Sequence, residues 1–244
     1  MMSIVIQAVH HIPEIRPGMN LGECLRDGLK ATGLQIQAGD ILAVTQKVVS
    51  KAEGRVVELT SIEPSAESIS IAGRSGKDPR LVEVILRESR RVVRMRGEVM
   101  ICETHHGFIC ANAGVDRSNV EGPETVTLLP KDPDRSAREI AGNLGCGVIV
   151  TDTFGRPWRE GLLDTAIGIA RVPPFLDFRG TCDAYGYPLR ATLLAAADAL
   201  AAAAGLVMGK TSGTPAALVR GFLWQNTESG AAALLRPPEK DLFL

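Results

Sequence analysis

Asp152 and Thr153 follow directly on the apolar run Gly147-Val148-Ile149-Val150. That run reads as a strand inside a sheet, ending abruptly at a carboxylate. An ionised Asp taken out of water is costly unless a cation or hydrogen bonds offset the loss, so Asp152 needs partners. The sequence offers two kinds: a divalent metal, or the guanidinium groups of Arg156 and Arg159 a few residues on. A second carboxylate, Asp116, stands in Gly114-Val115-Asp116-Arg117-Ser118-Asn119, just past another short apolar run. Two aspartates and a threonine hydroxyl are hard oxygen donors of the kind Mg²⁺ or Mn²⁺ takes, with phosphate oxygens and water completing the shell. The competing reading is that each Asp caps a turn or a helix. Lys47 and Lys51, at the exit of Ile41-Leu42-Ala43-Val44, are point charges that suit phosphate, against the alternative of two solvated lysines.

Other patterns imitate sites. Ala204-Gly205-Leu206-Val207-Met208-Gly209-Lys210-Thr211 satisfies a relaxed phosphate-loop pattern, with Ala for the first Gly. Leu206, Val207 and Met208 fill positions where small residues should let amides wrap a phosphate, and they read instead as a short buried strand. His10-His11 and His105-His106 are adjacent pairs, which do not set two imidazoles on one helix face, so zinc is not expected. Cys24, Cys102, Cys110, Cys146 and Cys182 are odd in number and include no CxxC pair, as expected of reduced thiols.

Composition narrows the partners. Basic residues number 27 and acidic ones 28, a formal charge of -1 that gives no electrostatic case for nucleic acid. With 45% hydrophobic and 23% charged residues, the chain reads as a soluble globular protein acting on a small molecule or another protein. Residues 195–208, the longest apolar stretch, are too short and too alanine-rich to span a bilayer. No secretory leader pattern is visible, and the expected compartment is the cytoplasm. Without repeats or a low-complexity linker, residues 1–244 read as one domain, with two lobes softly bounded.

The elements that must position these groups follow from periodicity and caps. We expect a strand over residues 3–9, a Pro/Gly-punctuated loop over 11–18, and a helix over 21–31 capped by Asn20 and closed by Gly33. Asp78-Pro79 predicts a helix running to Arg94, with Arg87, Arg90, Arg91, Arg94 and Arg96 as its basic side. Strands are predicted over 99–102 and 107–110. Asp132 or Asp134 should cap a helix over 135–144, Gly145 and Gly147 releasing it into the strand before Asp152. A helix is predicted over the alanine-rich residues 190–204 and a strand over 215–220. Strands and helices that do not alternate strictly indicate an α+β fold, or a mixed α/β sheet, with packed helices.

Taken in order, the segments 44–55, 112–120, 151–161 with Asp164-Thr165-Ala166-Ile167-Gly168, 190–192, 206–209, 219–221 and 236–243 resemble the coenzyme F420-0:L-glutamate ligase family. The resemblance covers nearly the whole chain and fits the stand-alone form. It implies that family's α+β fold as an intertwined homodimer. The implied activity is GTP-dependent addition of L-glutamate to the lactyl carboxylate of F420-0 through an acyl phosphate, with further γ-linked glutamates. By matched position, Asp116 and Asp152 ligate a first Mg²⁺ or Mn²⁺ and Thr153 helps hold a second, with a monovalent cation such as K⁺ as a further candidate. Ile12, Pro13, Glu14, Ile15, Gln46, Lys47, Lys51, Asn119, Met208, Gly209, Lys210 and Thr211 fall on the GTP contacts. Arg156 and Arg159 are candidate contacts to phosphate or the anionic coenzyme tail by their chemistry alone, with local ion pairs to Asp152, Glu160 or Asp164 as the alternative. Lys210 is a departure, since many relatives carry Gln there. It either replaces the second ion's charge or meets phosphate directly. The rival functions are a metal-dependent phosphohydrolase, a non-catalytic nucleotide or deazaflavin binder, and a ligase for another carboxylate cofactor.

Overall fold

The computed structural model describes residues 3–242. Strand β1 (Val5–Val9) opens the chain, and the loop after it leads to Asn20, whose side chain accepts from the Glu23 amide at 3.2 Å and caps helix α1 (Leu21–Ala31). Strand β2 (Ile41–Thr45) passes without a loop into helix α2 (Gln46–Ala52). Strand β3 (Val56–Glu58), helix α3 (Ala66–Ser75) and helix α4 (Pro79–Arg87) follow.

The helix expected to reach Arg94 ends at Arg87, and residues 89–96 form strand β4 (Ser89–Arg96). The arginines beyond it therefore line a strand. Arg87 pairs with Glu83 on the helix, whereas Arg90 and Arg91 meet Glu103 across the sheet at 3.5 and 2.7 Å. Strands β5 (Val99–Thr104), β6 (Ile109–Ala111) and β7 (Thr125–Thr127) precede helix α5 (Pro133–Leu144), which Asp132 caps. Asp134 instead accepts amides of Ile169 at 2.8 Å and Ala231 at 2.9 Å, tying the helix start to two distant segments.

The strand expected to stop before Asp152 continues as β8 (Gly147–Arg156) and turns back as β9 (Arg159–Ala170). A small hairpin, β10 (Phe175–Asp177) with β11 (Leu193–Ala195), precedes helix α6 (Ala196–Met208), and strand β12 (Ala216–Arg220) closes the main sheet. Helix α6 thus starts six residues later than expected, because residues 193–195 pair with 175–177. Leu206, Val207 and Met208 form its last turn rather than a buried strand, and Leu206 is 86% exposed.

The main sheet has the order β1-β12-β2-β8-β9, antiparallel throughout except for the parallel pair β2–β8. Alternation along its central strands makes a three-layer sandwich. Leu42, Val44, Val148, Val150 and Leu218 pack with α1 and α5 on one face. Ile41, Ile149 and Val219 pack with Ala197, Leu200 and Ala201 of α6 on the other, where Ala43 and Ala217 meet Ala204 and Met208. A second apolar core joins Leu59, Ile71, Val82, Ile85, Met100, Cys102 and Val126, from α3, α4, the β4-β5-β6 sheet and the β3–β7 pair. The fold is α+β with mixed sheets and packed helices. All five cysteines are free. Among the described residues no helix is long and apolar enough to cross a membrane.

Candidate active site

The parallel pair β2–β8 brings Thr45 beside Thr151, so both strands deliver their next residues to the same edge. From β2 come Gln46 and Lys47, in the first turn of α2, and from β8 come Asp152 and Thr153. A third contributor is the loop after β6, where a backbone bridge to Thr127 fixes Asp116: its amide donates to the Thr127 carbonyl at 3.0 Å and the Thr127 amide returns a bond at 2.8 Å. The chain end of α6 adds Lys210 from the opposite layer.

These groups form two charge pairs around one carboxylate that has no ion pair of its own among the described residues. Lys47 Nζ donates to Asp116 Oδ2 at 2.5 Å and to the Ser118 carbonyl at 2.7 Å, while Ser118 donates its amide to Oδ1 at 2.8 Å. Burial pushes the Asp116 carboxyl up, but the Lys47 ammonium and the Ser118 bonds outweigh it and hold the group below its ordinary value. On the other side, Lys210 Nζ donates to Thr153 Oγ1 at 2.6 Å and to Asp164 Oδ1 at 2.8 Å, and the Thr153 hydroxyl also donates to Asp164. Between the pairs lies Asp152. Burial is the main cause that lifts its carboxyl to about 7; the Thr153 amide and Lys47 pull it down, and the charges of Asp116 and Asp164 push it further up.

The sequence reading singled out Asp116, Asp152, Thr153, Lys47 and Lys210, and the fold brings all five to this edge. Glu14 forms an ion pair with Lys51, so the acid beside a proposed phosphate site is neutralised by a lysine proposed for the same phosphate. Ile12 and Ile15 face the main core, whereas Pro13 and Glu14 are exposed. Gln46 is buried: its Oε1 accepts from Ser50, and its Nε2 has no partner. Asn119 is exposed, in left-handed backbone conformation. Met208 is buried in the core beneath α6, and Gly209, Lys210 and Thr211 are exposed.

Two expectations need correction. Arg156 does not pair with a carboxylate: its guanidinium bonds the Glu160 carbonyl at 2.6 Å across its own hairpin turn. Both it and Arg159 sit at that turn, and Arg156 lies four residues past Asp152, roughly 13 Å along an extended strand. Asp164, read as a partner for those arginines, belongs instead to the Lys210–Thr153 pair. The signal for it was the hairpin register, which sets Thr153 opposite Asp164.

Among the described residues no group of three or more His, Cys, Asp or Glu side chains is placed to hold a metal. A cation site here would need oxygen donors from a ligand or water beyond Asp116 and Asp152. Asp152 is costly to ionise where it sits, and a hard divalent cation would offset that cost. Asp116 and Thr153 each already hold an ammonium, of Lys47 and Lys210; the Asp116 side chain is 45% exposed and has room for a further partner, whereas Asp164, which shares Lys210 with Thr153, is 5% exposed.

The chain is an α+β sandwich that gathers carboxylates and lysines into one cluster at the edge of its main sheet. Comparison with known proteins makes this specific. A family profile described as F420-0:Gamma-glutamyl ligase matches residues 10–221. A protein of Methanothermobacter thermautotrophicus named Coenzyme F420:L-glutamate ligase is 43% identical, with 99% of each chain covered. Its namesake from Methanopyrus kandleri is 46% identical over 94% of this chain and 93% of its own. That from Methanocaldococcus jannaschii is 39% identical over 85% and 86%. The chain belongs to the F420-0:gamma-glutamyl ligase family.

Proposed function

We propose that this protein is a GTP-dependent ligase that joins L-glutamate to the lactyl carboxylate of coenzyme F420-0, with further γ-linked glutamates added in turn. The relatives' shared name supports the substrates, and one structural observation supports the chemistry: three carboxylates and two lysines meet where β2 ends beside the middle of β8. A carboxylate is a poor electrophile. In the proposed reaction the γ-phosphoryl group of GTP passes to it, GDP leaves, and the glutamate amine displaces phosphate from the resulting acyl phosphate. Asp116 and Asp152 would hold Mg²⁺ or Mn²⁺, which would supply positive charge against the triphosphate and the charge that develops in transfer. Lys47 holds Asp116 ionised and in place, and Lys51, anchored by Glu14, presents a second ammonium beside it. Thr153 and Asp164 fix Lys210.

A homodimer is part of the proposal. Leu162 on β9 and Tyr185 and Tyr187 in the β10–β11 loop are 68%, 97% and 68% exposed, large apolar side chains of the kind an interface would cover.

The test is a mass-spectrometric assay with purified protein, F420-0, L-glutamate, Mg²⁺ or Mn²⁺, and GTP or ATP. The expected product carries one or more glutamyl residues and forms with GTP. Phosphate release that proceeds without F420-0 and glutamate identifies a phosphohydrolase instead. Nucleotide binding with no turnover identifies a binder.

A further inference from the structure

Lys210 leaves the end of α6 through Gly209, whose backbone (φ 62°, ψ −165°) lies in a region that only glycine enters freely. That turn aims the ammonium back at β8 and β9, where Thr153 and Asp164 take it at 2.6 and 2.8 Å. Asp164 is a demanding partner. Its side chain is only 5% exposed, and its sole ion pair among the described residues is with Lys210. It lies so close beneath the helix that a Cβ on Gly205 would fall 2.3 Å from its Oδ2. The place an ion would take between Thr153 and Asp164 is already filled by this ammonium, bonded to both groups.

The charges of the cluster lead to the same count. Asp116, Asp152 and Asp164 face Lys47 and Lys210, leaving one carboxylate, Asp152, without an ammonium of its own. The buried Gln46, whose unpartnered Nε2 is on the residue after Thr45, brings no charge to this balance. We infer that Lys210 is a built-in cation that takes the place of a second metal ion beside Thr153, so that each chain binds a single divalent ion, at Asp152 and Asp116. One face of the ligand's phosphates then meets an exchangeable ion, and the other meets a covalently tethered charge that chelators cannot remove. This rests on the metal assignment proposed above.

Equilibrium dialysis of the purified protein against Mn²⁺, with and without GDP, followed by counting metal per chain, tests it. Wild type and Lys210→Arg are expected to retain one ion, and Lys210→Gln, which frees Thr153 and Asp164 and supplies a neutral oxygen donor, is expected to retain two. Two ions in wild type overturn the inference while leaving the metal assignment standing, and this reading does not depend on the variants folding. A Lys210→Gln protein that folds, by its circular dichroism, yet keeps one ion also overturns it. No Mn²⁺ in wild type, or one that persists in Asp152→Asn, overturns the metal assignment itself.

Discussion

Replacing Asp152 by Asn should make the metal-free protein more stable at pH 8 and leave its stability at pH 4 nearly unchanged. The carboxyl titrates at about 7 in the folded chain, against an ordinary 3.8. Between those values the native state keeps a proton that the unfolded state has lost. Stability therefore falls as pH rises through this window, and the loss is complete above the folded value. A shift of about 3 units at about 1.4 kcal/mol each sets an upper limit of about 4 kcal/mol. Asp152 keeps some contact with solvent, which brings the expectation to about 2–4 kcal/mol. Asn has nearly the same shape and no charge, so it escapes the penalty. Asp198, which burial also raises, contributes equally to both proteins and cancels in the comparison. The assay is equilibrium urea unfolding in EDTA at pH 4, 5, 6, 7 and 8. The two stability curves should meet in acid, diverge from about pH 4 to about pH 7 and run parallel above that, and Mn²⁺ at pH 8 should restore wild type alone. Curves that keep a constant offset across the range would refute the account of Asp152 as a carboxylate short of a cation.

Gly205→Ala should destabilise the protein by about 1–3 kcal/mol, since the new Cβ would lie 2.3 Å from Asp164 Oδ2. If urea unfolding shows instead the gain of about 1 kcal/mol usual for Ala in a helix, the contact beneath α6 is not tight. Lys47→Met leaves burial as the strongest influence on Asp116, whose carboxyl should then titrate higher. The acid limb of the glutamylation rate is expected to move to higher pH, with at least a tenfold loss at pH 6, whereas a uniform loss at all pH values would point to a binding contact only. Leu162→Glu, on the exposed face of β9, should convert a dimer to a monomer in light scattering. A dimer that survives the change places the interface elsewhere.

The parts of the fold that were legible in the sequence have signals that act over a few residues. Asn20 and Gly33 bracket α1 because a cap and a left-handed closing glycine satisfy helix ends locally. Apolar runs such as 41–44 and 147–150 need to be buried on both faces, and they are. Strand β4 was hidden for a physical reason: its pairing with β5 shifts register between Ser89 and Arg91 and again between Val92 and Arg94. Those irregularities erase the two-residue alternation, and the arginines then look like the wet side of a continuing helix. The outer half of β8 was illegible because it is polar and half-exposed, and its partner begins Arg159-Glu160-Gly161-Leu162. At the site, Lys47, Asp116 and Asp152 could be anticipated singly, since each follows an apolar run. That Lys210 would cross from the far layer to Asp164 could not, because it depends on how closely α6 packs against β9.

Strand β8 changes character along its length. Residues 147–151 are buried between two helical layers, and from Asp152 onward the strand is partly open to water. In terms of motion, the amides of the inner half should exchange with solvent only when the whole sandwich opens, whereas those near the hairpin turn have access to small local openings. Asp152 and Thr153 are the first two residues past that boundary. Their backbone is thus held by the most protected part of the strand, directly beside the stretch that opens most readily.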